Sequence, residues 1–195
     1  MITDDKRRCG WCASSDLYKK YHDEEWGVPV YDDSTLFEFL ILETFQAGLS
    51  WITILNKREN FRKAFDQFDY KKIAQYNDDK ILELLQNAGI IRNKLKVYSA
   101  VTNAQAFLRI KEEFGSFSKY IWNFVDNKPI INKRNSLKEV PTTTSLSDTV
   151  SKDLRKRGFK FVGSTVVYAF LQAVGVVDDH VTDCWKAPRP PKRAL

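Results

Sequence analysis

The chain contains only two histidines and three cysteines, and four of these five residues fall into pairs along the sequence. Twelve residues separate Cys9 from His22, and three separate His180 from Cys184. Two thiolates and two imidazoles make a complete tetrahedral donor set for Zn²⁺, and a His-x₃-Cys spacing lets one turn of chain reach a single ion. Such an ion would tie the beginning of the chain to its end, and four protein donors would leave no position for a reacting water. Two other readings use the same residues. They could be unrelated core or surface side chains, or Cys9 and Cys12 could form a Cys-x-x-Cys pair, redox-active or supplying a different pair of ligands.

A second candidate is Glu43. It lies near the end of the most apolar stretch of the sequence, Leu40-Ile41-Leu42-Glu43-Thr44-Phe45, with Trp51 shortly after. A carboxylate in such a place is costly unless it is paired or functional. Trp11, Tyr18, Tyr21 and Trp26 crowd the His22 segment. A metal that fixed Cys9 and His22 would fix Trp11, Tyr21 and Trp26 as well. Aromatic walls around one buried acceptor would suit a flat heterocycle with an exocyclic amine. The competing reading pairs Glu43 with an Arg or Lys and assigns the aromatics to the core, and Glu38 in the same stretch shows that acids here can face solvent.

A third candidate is the turn between two helical stretches, Leu154-Arg155-Lys156-Arg157-Gly158-Phe159-Lys160-Phe161-Val162-Gly163-Ser164-Thr165. Gly163 permits a close backbone approach, and the N–H groups opening the next helix can cradle a phosphate. Lys152, Arg155, Lys156, Arg157 and Lys160 add positive charge around it. The pattern fits a DNA-backbone clamp that positions without reading sequence, and equally an ordinary turn beside a solvated basic helix.

The elements that must carry these groups read as helices almost throughout. Asp33 or Ser34 caps a helix to about Ala47, apolar on nearly all sides and therefore central. Further helices are expected over about 50–65, from Asp78 or Asp79 to Gly89, over 93–114, over 116–122, from Ser145 or Ser147 to Gly158, and from Ser164 to Gly175. Residues 126–144 are polar, carry Pro129 and Pro141, and read as a long connection. No strand alternation stands out. Residues 1–186 read as a single all-α domain, with two lobes allowed, and 187–195 as a basic, Pro-rich, flexible tail.

The composition is that of a globular chain: 43% hydrophobic, 29% charged, and a net charge of +6 that favours an anionic partner without any polycationic tail. No apolar run approaches the roughly 20 residues of a membrane span. The opening residues lack a signal core, and three cysteines exclude a full disulfide framework. A cytoplasmic protein with no membrane partner is expected.

The longer motifs resemble the 3-methyladenine DNA glycosylase I family. They are Cys9-Gly10-Trp11, Tyr21-His22-Asp23-Glu24-Glu25-Trp26-Gly27-Val28-Pro29, Gln46-Ala47-Gly48-Leu49-Ser50-Trp51, Lys57-Arg58-Glu59-Asn60, Ala88-Gly89-Ile90-Ile91-Arg92, Lys156 through Gly163, and Asp179-His180. The resemblance runs from about Cys9 to Cys184. It implies the all-α helix-hairpin-helix DNA glycosylase fold, with a zinc site joining the N- and C-terminal segments. The implied ligands are Cys9, His22, His180 and Cys184, holding one structural Zn²⁺ per chain, with Cys12 outside the set. It implies that Glu43 is the catalytic residue of a pocket formed with Tyr21 and Trp51 and supported by Trp11 and Trp26. DNA contacts are implied at Lys160, Val162, Gly163, Ser164 and Thr165, while the turn at Gly89 becomes structural or a secondary contact. The implied activity is hydrolytic release of flipped 3-methyladenine from alkylated double-stranded DNA, without strand cleavage, by a monomer. In the wider superfamily a catalytic Asp follows the hairpin, whereas this family is thought to lack it. Asp178 stands about there, and the favoured reading gives it a structural role at the turn before His180. Two other classes compete: a non-catalytic, zinc-stabilised nucleic-acid-binding module, and a thiol redox protein using Cys9 and Cys12.

Overall fold

A computed structural model of the chain describes residues 4–187. Nine α-helices are found among them: α1 (Asp16–Glu24), α2 (Asp33–Gln46), α3 (Trp51–Ala64), α4 (Tyr70–Ile73), α5 (Asp78–Gln86), α6 (Lys94–Phe114), α7 (Phe117–Asn123), α8 (Ser145–Lys156) and α9 (Ser164–Ala173). Short polar side chains cap all of them except α3 and α9, satisfying backbone N–H groups of the first turn. Asp32 accepts from Thr35 N, Asn77 from Lys80 N, Asn93 from Lys96 N and Ser116 from Lys119 N. Thr144 and Ser147 form a reciprocal capping box on α8. The cap of α2 sits at Asp32, one residue ahead of the position read from sequence, while α5 and α8 begin at Asp78 and Ser145 as read; α5 stops at Gln86 rather than running to Gly89.

The centre is α2. Every residue from Phe39 to Phe45 is buried, and α3, α6, α7 and α9 pack around it. Its polar exceptions differ. Glu38 is answered by Arg58 Nε at 2.5 Å and Arg62 Nη2 at 2.8 Å, whereas Glu43 has no such answer.

The all-α reading needs one amendment. Residues 126–144 are not a plain connection. Ile130–Ile131 (β1) pairs in parallel with Val177–Asp178 (β2), and an isolated bridge joins Arg134 to Val181. Two residues per strand are too few to show alternation, so no local pattern announces them. The short helices α1 and α4 also went unread, because α1 is largely polar and α4 has four residues. The expected tail lies, from Pro188 onward, outside the described residues.

Gly175 marks the tightest junction in the core. Its φ is +68°, and a Cβ there would stand 2.4 Å from Val28 C and Pro29 N. Both the backbone conformation and the space demand glycine. Gly175→Ala is therefore expected to destabilise the chain by about 2–4 kcal/mol, measured by denaturant unfolding; a loss under about 0.5 kcal/mol would contradict this packing.

Candidate active site and metal-donor cluster

A cavity of about 350 Å³ opens beside the C-terminal half of α2. Its aromatic side is made by Trp11 from the N-terminal turn, Tyr18, Tyr21 and Trp26 around α1, and Trp51 at the start of α3. Sequence reading named Trp11, Tyr21, Trp26 and Trp51, and the fold brings all four together with Glu43. Tyr18, one turn before Tyr21 on the same face of α1, lies 4.8 Å from Trp11 between ring centroids. The other rings meet in tilted or edge-on pairs, Trp11–Trp26 at 5.1 Å and Tyr21–Trp51 at 5.4 Å. Missed from sequence were Gln46, Leu137, Val140, Ala169, Gln172 and Asp179. Gln46 and Gln172 were readable only as ordinary helical positions, and Leu137 and Val140 reach the cavity through pairing distant in sequence.

Two polar atoms in this cavity are buried without a partner: Glu43 Oε2 and Trp51 Nε1. Buried polar groups are normally satisfied, so one acceptor and one donor are available here to a group entering the cavity. Burial pushes the Glu43 carboxyl up to about 8 from an ordinary 4.5, because desolvation penalises the ionised form. Desolvation thus favours the protonated acid.

Asp179, at the opposite pole of behaviour, is fully buried yet held ionised. Burial alone would raise it, but hydrogen bonds from Tyr168 Oη (2.5 Å), Arg134 Nε (2.9 Å) and Gln172 Nε2 (2.8 Å) hold it below the ordinary carboxylate range. Asn132 Nδ2 adds a fourth at 2.9 Å. With every lone-pair direction engaged, Asp179 holds structure rather than a water. Asp178 is likewise occupied: its Oδ1 accepts from His180 N at 2.9 Å and pairs with His180 Nδ1 at 2.7 Å.

Immediately behind the aromatic wall lies the donor cluster. The ligand atoms of Cys9, His22 and Cys184 lie within 4.8 Å of one another, all buried. Cys184 Sγ is 3.4 Å from His22 Nε2. The Cys9 thiol, hydrogen-bonded to Cys184, is pushed up, while the Cys184 sulfur is drawn down by that same bond and by His22. His180 stands just outside this triad, its ring 5.1 Å from that of His22 and edge-on to it. Each histidine has Nδ1 on a carboxylate, Asp23 Oδ1 at 2.8 Å for His22 and Asp178 for His180. Each therefore turns Nε2 inward, and His180 Nε2 is buried with no partner. His22 Nε2, by contrast, faces Cys184 Sγ and Cys9 N; imidazoles oriented by carboxylates in this way suit a metal site. Cys12 is apart: its thiol donates to Cys9 O at 3.1 Å, and burial pushes it up to about 11, a state unsuited to thiol exchange.

The basic turn runs between α8 and α9, which pack on each other. Three side chains hold its carbonyls inward: Arg109 donates to Arg157 O at 3.2 Å, Asn103 to Lys160 O at 3.1 Å, and Ser151 to Val162 O at 2.6 Å. Asn103 Oδ1 also accepts from Lys160 N at 2.7 Å. Ser164 Oγ meets Ser147 Oγ, while no side chain caps the opening of α9, where Ser164 and Thr165 begin the helix. Gly163 has φ −62°, and a Cβ on it would meet only Arg155 Nη2, at 3.4 Å. Neither its backbone conformation nor the space around it requires glycine. Of the expected cations, Arg157 is spent on Asp153 and Glu113.

A family model described as methyladenine glycosylase matches residues 11–187. The chain belongs to the methyladenine glycosylase family. It is 49% identical over 177 residues to DNA-3-methyladenine glycosylase 1 of Escherichia coli (strain K12), covering 91% of this chain and 95% of that protein. A crystal structure of 3-methyladenine DNA glycosylase I superposes with a TM-score of 0.91 at 49% identity, covering 93% of this chain and all of that one. A Tyr-to-Phe variant of a 3-methyladenine DNA glycosylase I, in complex with 3-methyladenine, gives 0.90 at 37% identity and covers 93% and 98% of the two chains.

The raised pKa of Glu43 carries a stability consequence. The folded state holds a proton that the unfolded chain has released above its ordinary value, so this group's contribution is complete below about pH 4.5 and is lost as pH rises through about 8. Glu43→Gln, which cannot ionise, is expected to gain stability over the parent between pH 5 and pH 9, read as the difference in melting temperature at the two pH values. A pH-independent difference would mean that Glu43 is solvated or paired.

Proposed function

We propose that the chain excises 3-methyladenine from alkylated double-stranded DNA by hydrolysis of the N-glycosidic bond. Membership of the methyladenine glycosylase family makes it a hydrolase of N-glycosyl bonds acting on damaged DNA. The observation that carries the finer reading is the unpartnered pair Glu43 Oε2 and Trp51 Nε1 inside an aromatic cavity.

A base stacked in a duplex is out of reach of such a cavity and has to be flipped into it. Methylation at N3 leaves the adenine cationic and already a good leaving group, so little acid catalysis is needed. The faces of Trp11, Tyr21, Trp26 and Trp51 favour a cationic ring. Glu43 accepts a hydrogen bond from the exocyclic amine, and the arriving positive charge favours its ionised form. Water then adds at the anomeric carbon of the sugar. Strand cleavage is not part of the proposed reaction. The α8–α9 turn serves as the helix-hairpin-helix clamp. The uncapped opening of α9 at Ser164 and Thr165, with Gly163, Val162 and Lys160 beside it, takes a backbone phosphate. We place the working form as a monomer in the cytoplasm.

Cys9, His22, His180 and Cys184 would hold one Zn²⁺. With four protein donors such an ion would supply closure of the chain, not catalysis; His22 and His180 would then hold Trp11 and Trp26, whose rings lie 5.3 and 4.6 Å from theirs respectively.

Purified protein incubated with methylated duplex DNA is expected to release 3-methyladenine and no 7-methylguanine, identified by chromatography. Glu43→Gln is expected to keep the fold and lose about 100-fold in kcat/KM. No release by folded protein would refute the activity, and normal turnover by the variant would misplace the pocket. For the clip, elemental analysis is expected to find one zinc per chain. His180→Ala is expected to lose it and to melt about 5–10 °C lower; unchanged metal content and melting would contradict the ligand set.

A further inference from the structure

The segment between α7 and α8 forms part of the cavity wall. Leu137 and Val140 line the cavity, and the chain leading to them is strapped to the segment after α9. Asn132 N donates to Asp178 O at 2.9 Å, and Thr182 N to Arg134 O at 2.8 Å. Asn132 Nδ2 and Arg134 Nε both reach Asp179 Oδ1 at 2.9 Å. Beyond this strap Leu137 is 40% exposed, and a Cβ on Gly10 would lie 3.6 Å from its Cδ1. It thus leans on the turn that carries Trp11. A leucine this exposed contributes little to the core, yet the segment that carries it is tied to the border of the cavity by the part-buried hydrogen bonds of Asn132 and Arg134.

The rest of the cavity suggests why. The polar edge of a bound base finds Glu43 and Trp51, and its flat faces find the aromatic rings. The alkyl substituent needs an aliphatic contact, and the aliphatic residues lining the cavity are Leu137, Val140 and Ala169. Ala169 is fixed on α9, whereas Leu137 and Val140 stand on a wall whose place is set by the Asn132–Arg134–Asp179 strap. We infer that Leu137 and Val140 are specificity-determining residues that select the N3-alkyl group by size, and that Arg134 is a positioning residue acting through Asp179. The inference rests on the proposed function, since it takes an N3-alkylated adenine as the ligand.

The test measures binding of free 3-methyladenine and free 3-ethyladenine to the full chain by tryptophan fluorescence, beside release of both bases from alkylated duplex DNA. One methylene in an apolar pocket changes discrimination by about 10- to 200-fold. The parent is expected to prefer the methyl compound, and Leu137→Ala to reduce that preference about tenfold, chiefly by tightening binding of the ethyl compound. Its melting temperature should stay unchanged, because the side chain is largely outside the core. Arg134→Leu should shift the preference the same way, and Arg134→Lys, which keeps a cationic donor, should restore it. An unchanged preference in Leu137→Ala, in a protein whose parent binds 3-methyladenine, overturns the wall. A parent that binds the free base yet releases none from DNA overturns the functional reading instead, with the wall then judged on the binding ratio alone. A parent that neither binds nor releases the base overturns both.

Discussion

The structure is organised around one desolvated carboxyl. Glu43 points an oxygen with no partner into a cavity of aromatic rings, and in water that group would be ionised and hydrated. Removing the water costs free energy that only packing elsewhere can offset. This explains the character of α2. Its neighbours Phe39, Leu40, Ile41, Leu42, Thr44 and Phe45 are all buried, so the helix cannot rotate to return Glu43 to solvent without exposing its other faces. Five residues earlier on the same helix, Glu38 shows the alternative fate of an acid here, neutralised by Arg58 and Arg62.

Holding the carboxyl unpaired also requires walls that do not collapse onto it. Two devices supply them. On one side, the Cys9–His22–Cys184 cluster, with His180 beside it, fixes the segments carrying Trp11 and Trp26. On the other, Asp179 gathers Tyr168 and Gln172 of α9 with Asn132 and Arg134 of the 126–144 segment. Consecutive acids divide the work: Asp178 orients His180 and Asp179 orients the wall. The cavity thus holds two carboxyls with opposed tendencies, one kept neutral by desolvation and one kept ionised by four donors. The difference follows from their partners: none for Glu43 Oε2 and four donors for Asp179.

What was legible in the sequence follows from the range of the interactions involved. The central helix was readable because its burial on all sides appears as an unbroken apolar run, and Glu43 stood out against it. Of the four candidate donors that counting picks out, Cys9, His22 and Cys184 come together, and His180 stands just outside them. The basic turn was readable from Gly163 and its neighbouring cations, although Arg157 proved to be bound to Asp153 and Glu113. The strap was not readable. Ile130 and Ile131 pair with residues 47 positions away, and two-residue strands among prolines and polar side chains leave no periodic trace. Leu137 and Val140 look like ordinary loop residues until that pairing places them at the cavity. The cap of α2 slipped by a residue because Asp32-Asp33-Ser34 offers several competent caps.

The most direct test of this account is the ionisation of Glu43 itself in the free protein. Carbon-13 NMR of glutamate side-chain carboxyls, with Glu43→Gln to assign the resonance, reports it across a pH titration. The account predicts a midpoint near 8 and a neutral carboxyl at pH 6. A midpoint in the ordinary glutamate range of about 4–5 would mean that the group is hydrated or paired, and the desolvated cavity on which the rest depends would not exist.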